Sequence, residues 1–294
     1  MIEGIILLDK PPGQTSFQAL SRIKKILGIR RVGHAGTLDR FAEGLLVVLT
    51  GRMTRLAGLA VAMDKEYVAT VTFGQQTDTL DPEGTVVAHG PVPVREDLEA
   101  VLPSFRGIIS QVPPAYSAVH VGGKRAYKEA RSGQEVSLAP RDVTVYSLGL
   151  LSFTPPQAVL NVVCSKGTYI RSLARDLAAR LSTCAFVSQL QRTRIGGFRR
   201  EDATSPADFD PTRDLLSPAM FFDAAPGLRR LTLRGEWQEK ASQGAPVRDC
   251  FFSEPPELDG VYGAFGQEGD LVAIMEKAGA SYSYTATFPR RASP

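Results

Sequence analysis

The sequence predicts an α/β (α+β) fold: strands and helices share one large N-terminal domain, and a small β-rich domain follows. Three observations carry this. Apolar residues recur at helical spacing in two separate segments, 17–27 and 170–181. Residues 67–73 alternate apolar and polar, as a half-buried strand does. After residue 226, four short alternating runs are separated by Gly- and Asp-rich turns. A chain of 294 residues is long enough for such a pair of domains.

Taken in order, residues 2–9 are apolar and β-leaning, and Pro11-Pro12-Gly13 ends them in a turn. Thr15 and Gln18 have the spacing of a helix-starting capping box. Phe17, Leu20, Ile23 and Leu27 make one helix face, with Gly28 as C-cap. Arg22, Lys24 and Lys25 occupy the other face. Gly33, Gly36 and Gly44 mark a loop, and 45–49 reads as a buried strand. Strand 67–73 is followed by a turn-rich loop holding Asp78, Asp81, Pro82 and Gly84, then by a short helix at 95–102. Residues 111–141 form a long basic segment with weak periodicity and interleaved Tyr116 and Tyr127; insertions of this length are usually functional or mobile. A strand at 158–164 leads through Lys166-Gly167-Thr168-Tyr169 to the helix stripe of Ile170, Leu173, Ala174, Leu177 and Leu181. Acidic residues and prolines dominate 201–226, which places a domain boundary near 226. The runs at 231–233, 261–265, 271–275 and 282–288 suggest a small β-barrel.

Hydrophobic residues at 43% and charged residues at 22% are ordinary for a soluble globular chain. No apolar run approaches the ~20 residues that span a bilayer, and the N-terminus lacks a basic signal-peptide region. A cytoplasmic protein without membrane contact is expected. Cys164, Cys184 and Cys250 form no CxxC pair, and His34, His89 and His120 lack metal-ligand spacing. No metal or other cofactor is expected. Net charge is only +3, but residues 165–200 hold eight basic side chains and one acidic, whereas 201–294 hold nine and fifteen. The local basic excess suits a polyanion partner; a solvated basic face is the plainer alternative.

The most informative stretch is Gly33-His34-Ala35-Gly36-Thr37-Leu38-Asp39, with Ala42 and Gly44-Leu45-Leu46 after it. It resembles the GHxGTLDxxAxGLL signature of the bacterial tRNA pseudouridine-55 synthase (TruB) family. Five further blocks agree in order. They are Asp9-Lys10-Pro11 with Gly13 and Thr15-Ser16; Lys65-Glu66-Tyr67 through Gly84; Pro113-Pro114 through Tyr127; Lys166 through Leu173; and Leu190-Arg192-Thr193 with Gly196 and Phe198. The resemblance covers roughly residues 5–200. Six ordered blocks are far more specific than one short motif.

The resemblance implies a mixed, mostly antiparallel sheet flanked by helices, with a central cleft. It assigns 1–226 to the catalytic domain, 111–141 to an RNA-gripping thumb, and 227–294 to a PUA-like domain. The implied reaction isomerises one uridine in the T-arm of tRNA, by base flipping, cleavage of the glycosidic bond and rejoining of C1′ to C5. Asp39 is the implied carboxylate, acting at C1′ or on the C2′ proton, and either route needs it ionised. Arg171 pairs with it, and a nearby cation favours the charged form. Tyr67 stacks on the flipped base. Tyr169 and Leu190 wall the pocket, His34 fills the gap in the RNA, Asp81 supports RNA contacts and base orientation, and Lys10 buttresses the loop. Phosphate contacts are expected from Lys124, Arg125, Lys128, Arg131 and Arg192, with Arg194, Arg199 and Arg200 as further candidates. A monomer without an obligate protein partner is implied, with tRNA as the ligand.

Each residue also has a plainer reading. Asp beside Gly is usually a turn residue; tyrosine in an amphipathic strand is usually core; leucine in such a run is core packing. Three residues beside Asp39 depart from the family pattern: Ala35, Arg40 in place of a common Pro, and Glu43 in place of a small residue. Arg40 has three possible partners: RNA phosphate, Glu43, or Asp39 in competition with Arg171. Rival readings are an RNA-guided relative acting on ribosomal RNA, a tRNA-binding chaperone without turnover, and a glycosidase using Asp39 with Glu43 or Asp9.

Overall fold

The computed structural model describes residues 3–116, 120–121, 124–125 and 138–289. Its N-terminal part is built on a nine-stranded sheet. Along the chain come β1 (Gly4–Lys10), α1 (Ser16–Leu27), β2 (Val32–His34), β3 (Glu43–Thr50), α2 (Ala57–Ala62) and β4 (Lys65–Phe73). A small hairpin, β5 (Gln75–Thr77) and β6 (Val86–His89), precedes α3 (Arg95–Val101) and β7 (Gly107–Gln111). The insertion contributes a minimal hairpin, β8 (His120–Val121) and β9 (Lys124–Arg125). Then follow β10 (Arg141–Thr154), β11 (Gln157–Cys164), α4 (Ile170–Arg180), β12 (Ala185–Ile195) and β13 (Phe198–Arg199).

The sheet order is β1-β3-β12-β4-β11-β10-β7, with β2 on β3 and β13 on β12. All its pairings are antiparallel except β3 with β12, which touch in parallel only at Glu43–Gln191 and Gly44–Arg192. The sheet therefore divides there. At that point Gly44 has φ +103°, and a Cβ on it would stand 2.4 Å from the Arg192 carbonyl oxygen. Only glycine allows this approach.

Local chemistry explains the helices. Thr15 and Gln18 form the reciprocal capping box, and Gly28 closes α1 at φ 63°. α1 packs Leu20, Ile23 and Leu27 on Ile6, Leu8, Leu46 and Val48. α4 buries Leu173, Ala174 and Leu177 against Ala69, Val71, Leu160 and Val162 of the same face. The two helices flank the line where the sheet divides.

A short helix α5 (Pro211–Asp214) and α6 (Pro218–Ala224) lead into β14 (Leu228–Thr232), α7 (Gly235–Ser242), β15 (Gly260–Phe265), β16 (Leu271–Ala278) and β17 (Ser281–Thr287). These four strands form one sheet in chain order, with β14 parallel to β15. Where the rhythm of the sequence suggested a barrel, the described residues form this four-stranded sheet. Phe221 and Phe222 of α6 join Phe265, Leu271, Ile274 and Phe288 to Ile5, Leu7, Leu45 and Val47 in one core cluster. The small sheet thus packs on the second face of the large one at its β1–β3 end. No described helix is long and apolar enough to cross a membrane.

Candidate active site

The loop between β2 and β3 carries Asp39, and the first turn of α4 carries Arg171. Their sequence separation is 132 residues, yet Nη2 of Arg171 donates to Asp39 Oδ1 at 3.2 Å. Arg171 Nε lies 2.9 Å from Asp39 Oδ2, an ion-pair contact without an aligned hydrogen bond. The arginine side chain is only 3% exposed. Its remaining donors are taken: Nη1 bonds the Thr79 carbonyl at 2.8 Å and Asp81 Oδ2 at 3.1 Å, and Nη2 the Tyr116 carbonyl at 2.9 Å. One guanidinium thus serves two carboxylates and two backbone oxygens, a good match to its planar fork.

Asp39 lies at the bottom of this arrangement but keeps 37% of its side chain exposed. The burial of its carboxylate dominates and holds its pKa above the ordinary carboxylate value; Arg171 and Lys10 pull it down, while Asp81 pushes it up. The cation expected to secure the charged form is therefore present, but desolvation outweighs it.

Asp81 does not reach outward as the sequence suggested. Both its oxygens are used within the protein: Oδ1 accepts from Thr79 Oγ1 at 2.6 Å and Glu83 N–H at 3.0 Å, and Oδ2 from Arg171. At 5% exposure, with three hydrogen bonds made inside the protein, Asp81 faces Arg171 and its own loop rather than solvent.

Lys10 is fully buried. Its ammonium donates to the carbonyls of Pro11, Gln14 and Arg40 at 3.0, 2.7 and 3.4 Å. It ties the residue after Asp39 to the turn after β1. Burial lowers its pKa to about 8, against the raising influence of Asp39.

Tyr67 projects from β4 on the face that also carries Ala69, Leu190 and Arg192, by their cross-strand register. It borders the same core as Leu38, Ala42 and Leu190. Burial raises its phenol pKa, and the charge of Arg192 works against that. Leu190 is 6% exposed and packs in this wall. Tyr169 caps the N-terminus of α4; its backbone is held at both N–H and C=O by the Gln111 side chain. The Arg141 guanidinium covers its ring at 4.8 Å. His34 ends β2. Burial first, then the charge of Arg192, lowers its pKa, and Nδ1 is buried without a hydrogen-bond partner.

Of the residues expected to bind phosphate, Arg192 must be reassigned. It is 1% exposed. Strand pleating turns it into the protein, where Nε donates to Leu45 O at 2.8 Å and Nη2 to Gly36 O at 3.2 Å. Arg194 pairs with Glu66, and Arg200 bridges Asp9 and Glu43 at 3.0 Å each. Arg199 is exposed. Lys124 and Arg125 pair with Val121 and His120 in the small hairpin; Lys128 and Arg131 lie outside the described residues. Arg40 turns away from Asp39, donating to Gly13 O at 3.0 Å and approaching Glu83 at 3.7 Å. It does not compete with Arg171.

A cavity of about 590 Å³ adjoins this loop between Gly13, Phe41, Glu83 and Gln189. Neither Asp39 nor Arg171 lines it, and its Val68, Thr70, Gln189 and Gln191 alternate with the residues of the Tyr67 face. At the Asp39–Arg171 contact an ionisable carboxylate and a buried cation meet beside the core that Tyr67 borders. Thr79, Gln111 and the Tyr116 carbonyl are further parts of the site; nothing in their local sequence marks them, since they act through backbone oxygens or from beneath the surface.

The divided sheet, with buried Arg171 paired to Asp39, agrees with what the resemblance to the pseudouridine synthases implies. The model of the TruB family pseudouridylate synthase N-terminal domain matches residues 24–170. The tRNA pseudouridine synthase B of Borreliella burgdorferi strain ZS7 is 49% identical over 207 residues, covering 69% of this chain and 73% of the relative. That of Treponema pallidum strain Nichols is 40% identical over 288 residues, covering 89% and 72%. The chain belongs to the TruB family. Among solved structures, a Cbf5–Nop10–Gar1 complex matches with TM-score 0.74 and 26% identity, covering 98% of this chain and 85% of the other.

Proposed function

We propose that this protein is a tRNA pseudouridine synthase that isomerises uridine 55 in the T-arm loop, acting without a guide RNA or partner protein. The observation that carries the reading is the Asp39–Arg171 pair beside Tyr67 at the division of the sheet. The names of relatives 40–49% identical support tRNA as the substrate.

The chemistry follows from the groups present. Asp39 in its ionised form either attacks C1′ of the ribose or removes the C2′ proton; each route breaks the C1′–N1 bond. Arg171 keeps the carboxylate oriented and offsets its charge. The uracil, detached and turned, rejoins C1′ through C5 as Asp39 leaves C1′ or returns the C2′ proton; C5 then loses its proton and N1 gains one, so the net change is an isomerisation, while Tyr67 and Leu190 hold the ring. Base flipping costs a few kcal/mol, so a preorganised wall is needed to accept the extruded base. His34, kept neutral by burial, is the group closest in sequence to occupy the space left in the RNA. The basic residues of the insertion supply phosphate contacts, so binding weakens steeply with salt.

The test is incubation of the pure chain with a T-arm hairpin transcript, followed by mapping of carbodiimide-induced reverse-transcription stops. One stop at the position of uridine 55 is expected, and none with Asp39→Asn, which should still bind the hairpin. Absence of the stop with wild-type protein overturns the assignment.

A further inference from the structure

Arg192 touches both ends of the loop that carries Asp39. Its backbone lies against Gly44 at the loop exit, close enough that no side chain fits between them. Its side chain bonds Leu45 O just beyond that exit and Gly36 O near the entrance, at 2.8 and 3.2 Å. Across the strand pair, Arg192 stands directly opposite Tyr67. One residue therefore joins the loop of the carboxylate to the aromatic wall.

The energetics make this arrangement unusual. A guanidinium 1% exposed is costly to desolvate, and no carboxylate among the described residues forms an ion pair with it. Two backbone carbonyls, Leu45 O and Gly36 O, accept from it.

Resting on the pseudouridine synthase reading above, we propose that Arg192 is a positioning residue: it sets the distance between the Asp39 loop and Tyr67, the two walls between which the uridine reacts. Asp39 stands three residues beyond Gly36 and five before Gly44, so both clamps bear directly on it. A lysine here keeps a positive charge but reaches fewer acceptors from a single nitrogen. Misplacement by about 1 Å is enough to cost ~100-fold in rate.

The experiment compares wild type with Arg192→Lys on the T-arm hairpin, measuring kcat, KM and hairpin affinity at several salt concentrations. The expected result is a fall in kcat of about 10- to 100-fold, with KM and affinity within about threefold and an unchanged salt slope. Tyr67→Phe is combined with it in a double-mutant cycle; the combined loss should be smaller than the product of the two single losses, because the two residues are cross-strand partners in one wall. If Arg192→Lys does not fold, Arg192→Gln, which can still donate to the carbonyls, carries the same comparison. A kcat within threefold of wild type overturns the proposal. So does a loss confined to affinity with a shallower salt slope, which would return Arg192 to phosphate binding. Both those outcomes leave the function standing, whereas a wild type without turnover overturns the function and the proposal together.

Discussion

Replacing Arg171 by methionine tests the electrostatics of the site. Methionine is unbranched and of comparable reach, so it removes the charge together with the hydrogen bonds to Asp39, Asp81 and the Thr79 and Tyr116 carbonyls. Asp39 and Asp81 then face each other with no cation between them. Two unit charges about 4 Å apart interact by about 4 kcal/mol at an effective dielectric of about 20. The Asp81 side chain is 7% exposed and keeps most of that figure. The Asp39 side chain is 37% exposed, so solvent screening reduces its share toward that of a surface pair. We expect a stability loss of about 3–5 kcal/mol, as for other broken buried pairs, read by urea unfolding. The same change removes the group that lowers the Asp39 pKa, so that pKa rises further above the ordinary value. The acid limb of the rate profile should then move to higher pH, because less Asp39 is ionised at any given pH. Adding Asp81→Asn should recover part of the stability and none of the turnover. An Arg171→Met chain within 1 kcal/mol of wild type, or one whose acid limb stays in place, would refute the reasoning.

Lys10 and Lys65 both have pKa values lowered by burial to about 8. Between pH 8 and 10.5 the folded chain has released protons that the unfolded chain still binds, so these groups make stability rise with pH in that window. Urea melts at pH 7.5 and 9.5 should show a larger gain for wild type than for Lys10→Met. Gly44→Ala combines a positive φ with a Cβ 2.4 Å from a carbonyl oxygen; thermal unfolding should show a loss of about 2–4 kcal/mol, with activity falling as well. The Arg40–Glu83 pair is exposed, 61% and 45% by side chain. Arg40→Ala should change stability by less than about 1 kcal/mol in the same melts.

Much of this fold is legible locally. The capping box at Thr15, the left-handed Gly28 and the stripe of Leu20, Ile23 and Leu27 specify α1 from short-range chemistry alone. Alternation locates β4 for the same reason, and the stripe beginning at Ile170 locates α4. By contrast, β10 and β12 carry no clean period. β10 has two register shifts on β11, and β12 has two on β4, each of which reverses the inward-facing set partway along the strand. Their existence is decided by the neighbours that pair with them.

The same division runs through the site. The Gly-rich loop with Asp39, the aromatic at Tyr67 and the basic run near Arg192 are all visible as residues, and their order along the chain points to the chemistry. Where each guanidinium ends up is not readable from spacing. The family resemblance pairs Arg171 with Asp39 across 132 positions, but nothing points to Asp81, 90 positions away. Arg200 reaches Asp9 across 191. Arg192 turns into the protein, where its residue type and its basic neighbourhood suggested phosphate. Composition and spacing record which charges a chain owns, because those depend on single residues. Which charge is buried, and against what, depends on strand pairing and pleat across the whole sheet, and only the assembled fold sets these.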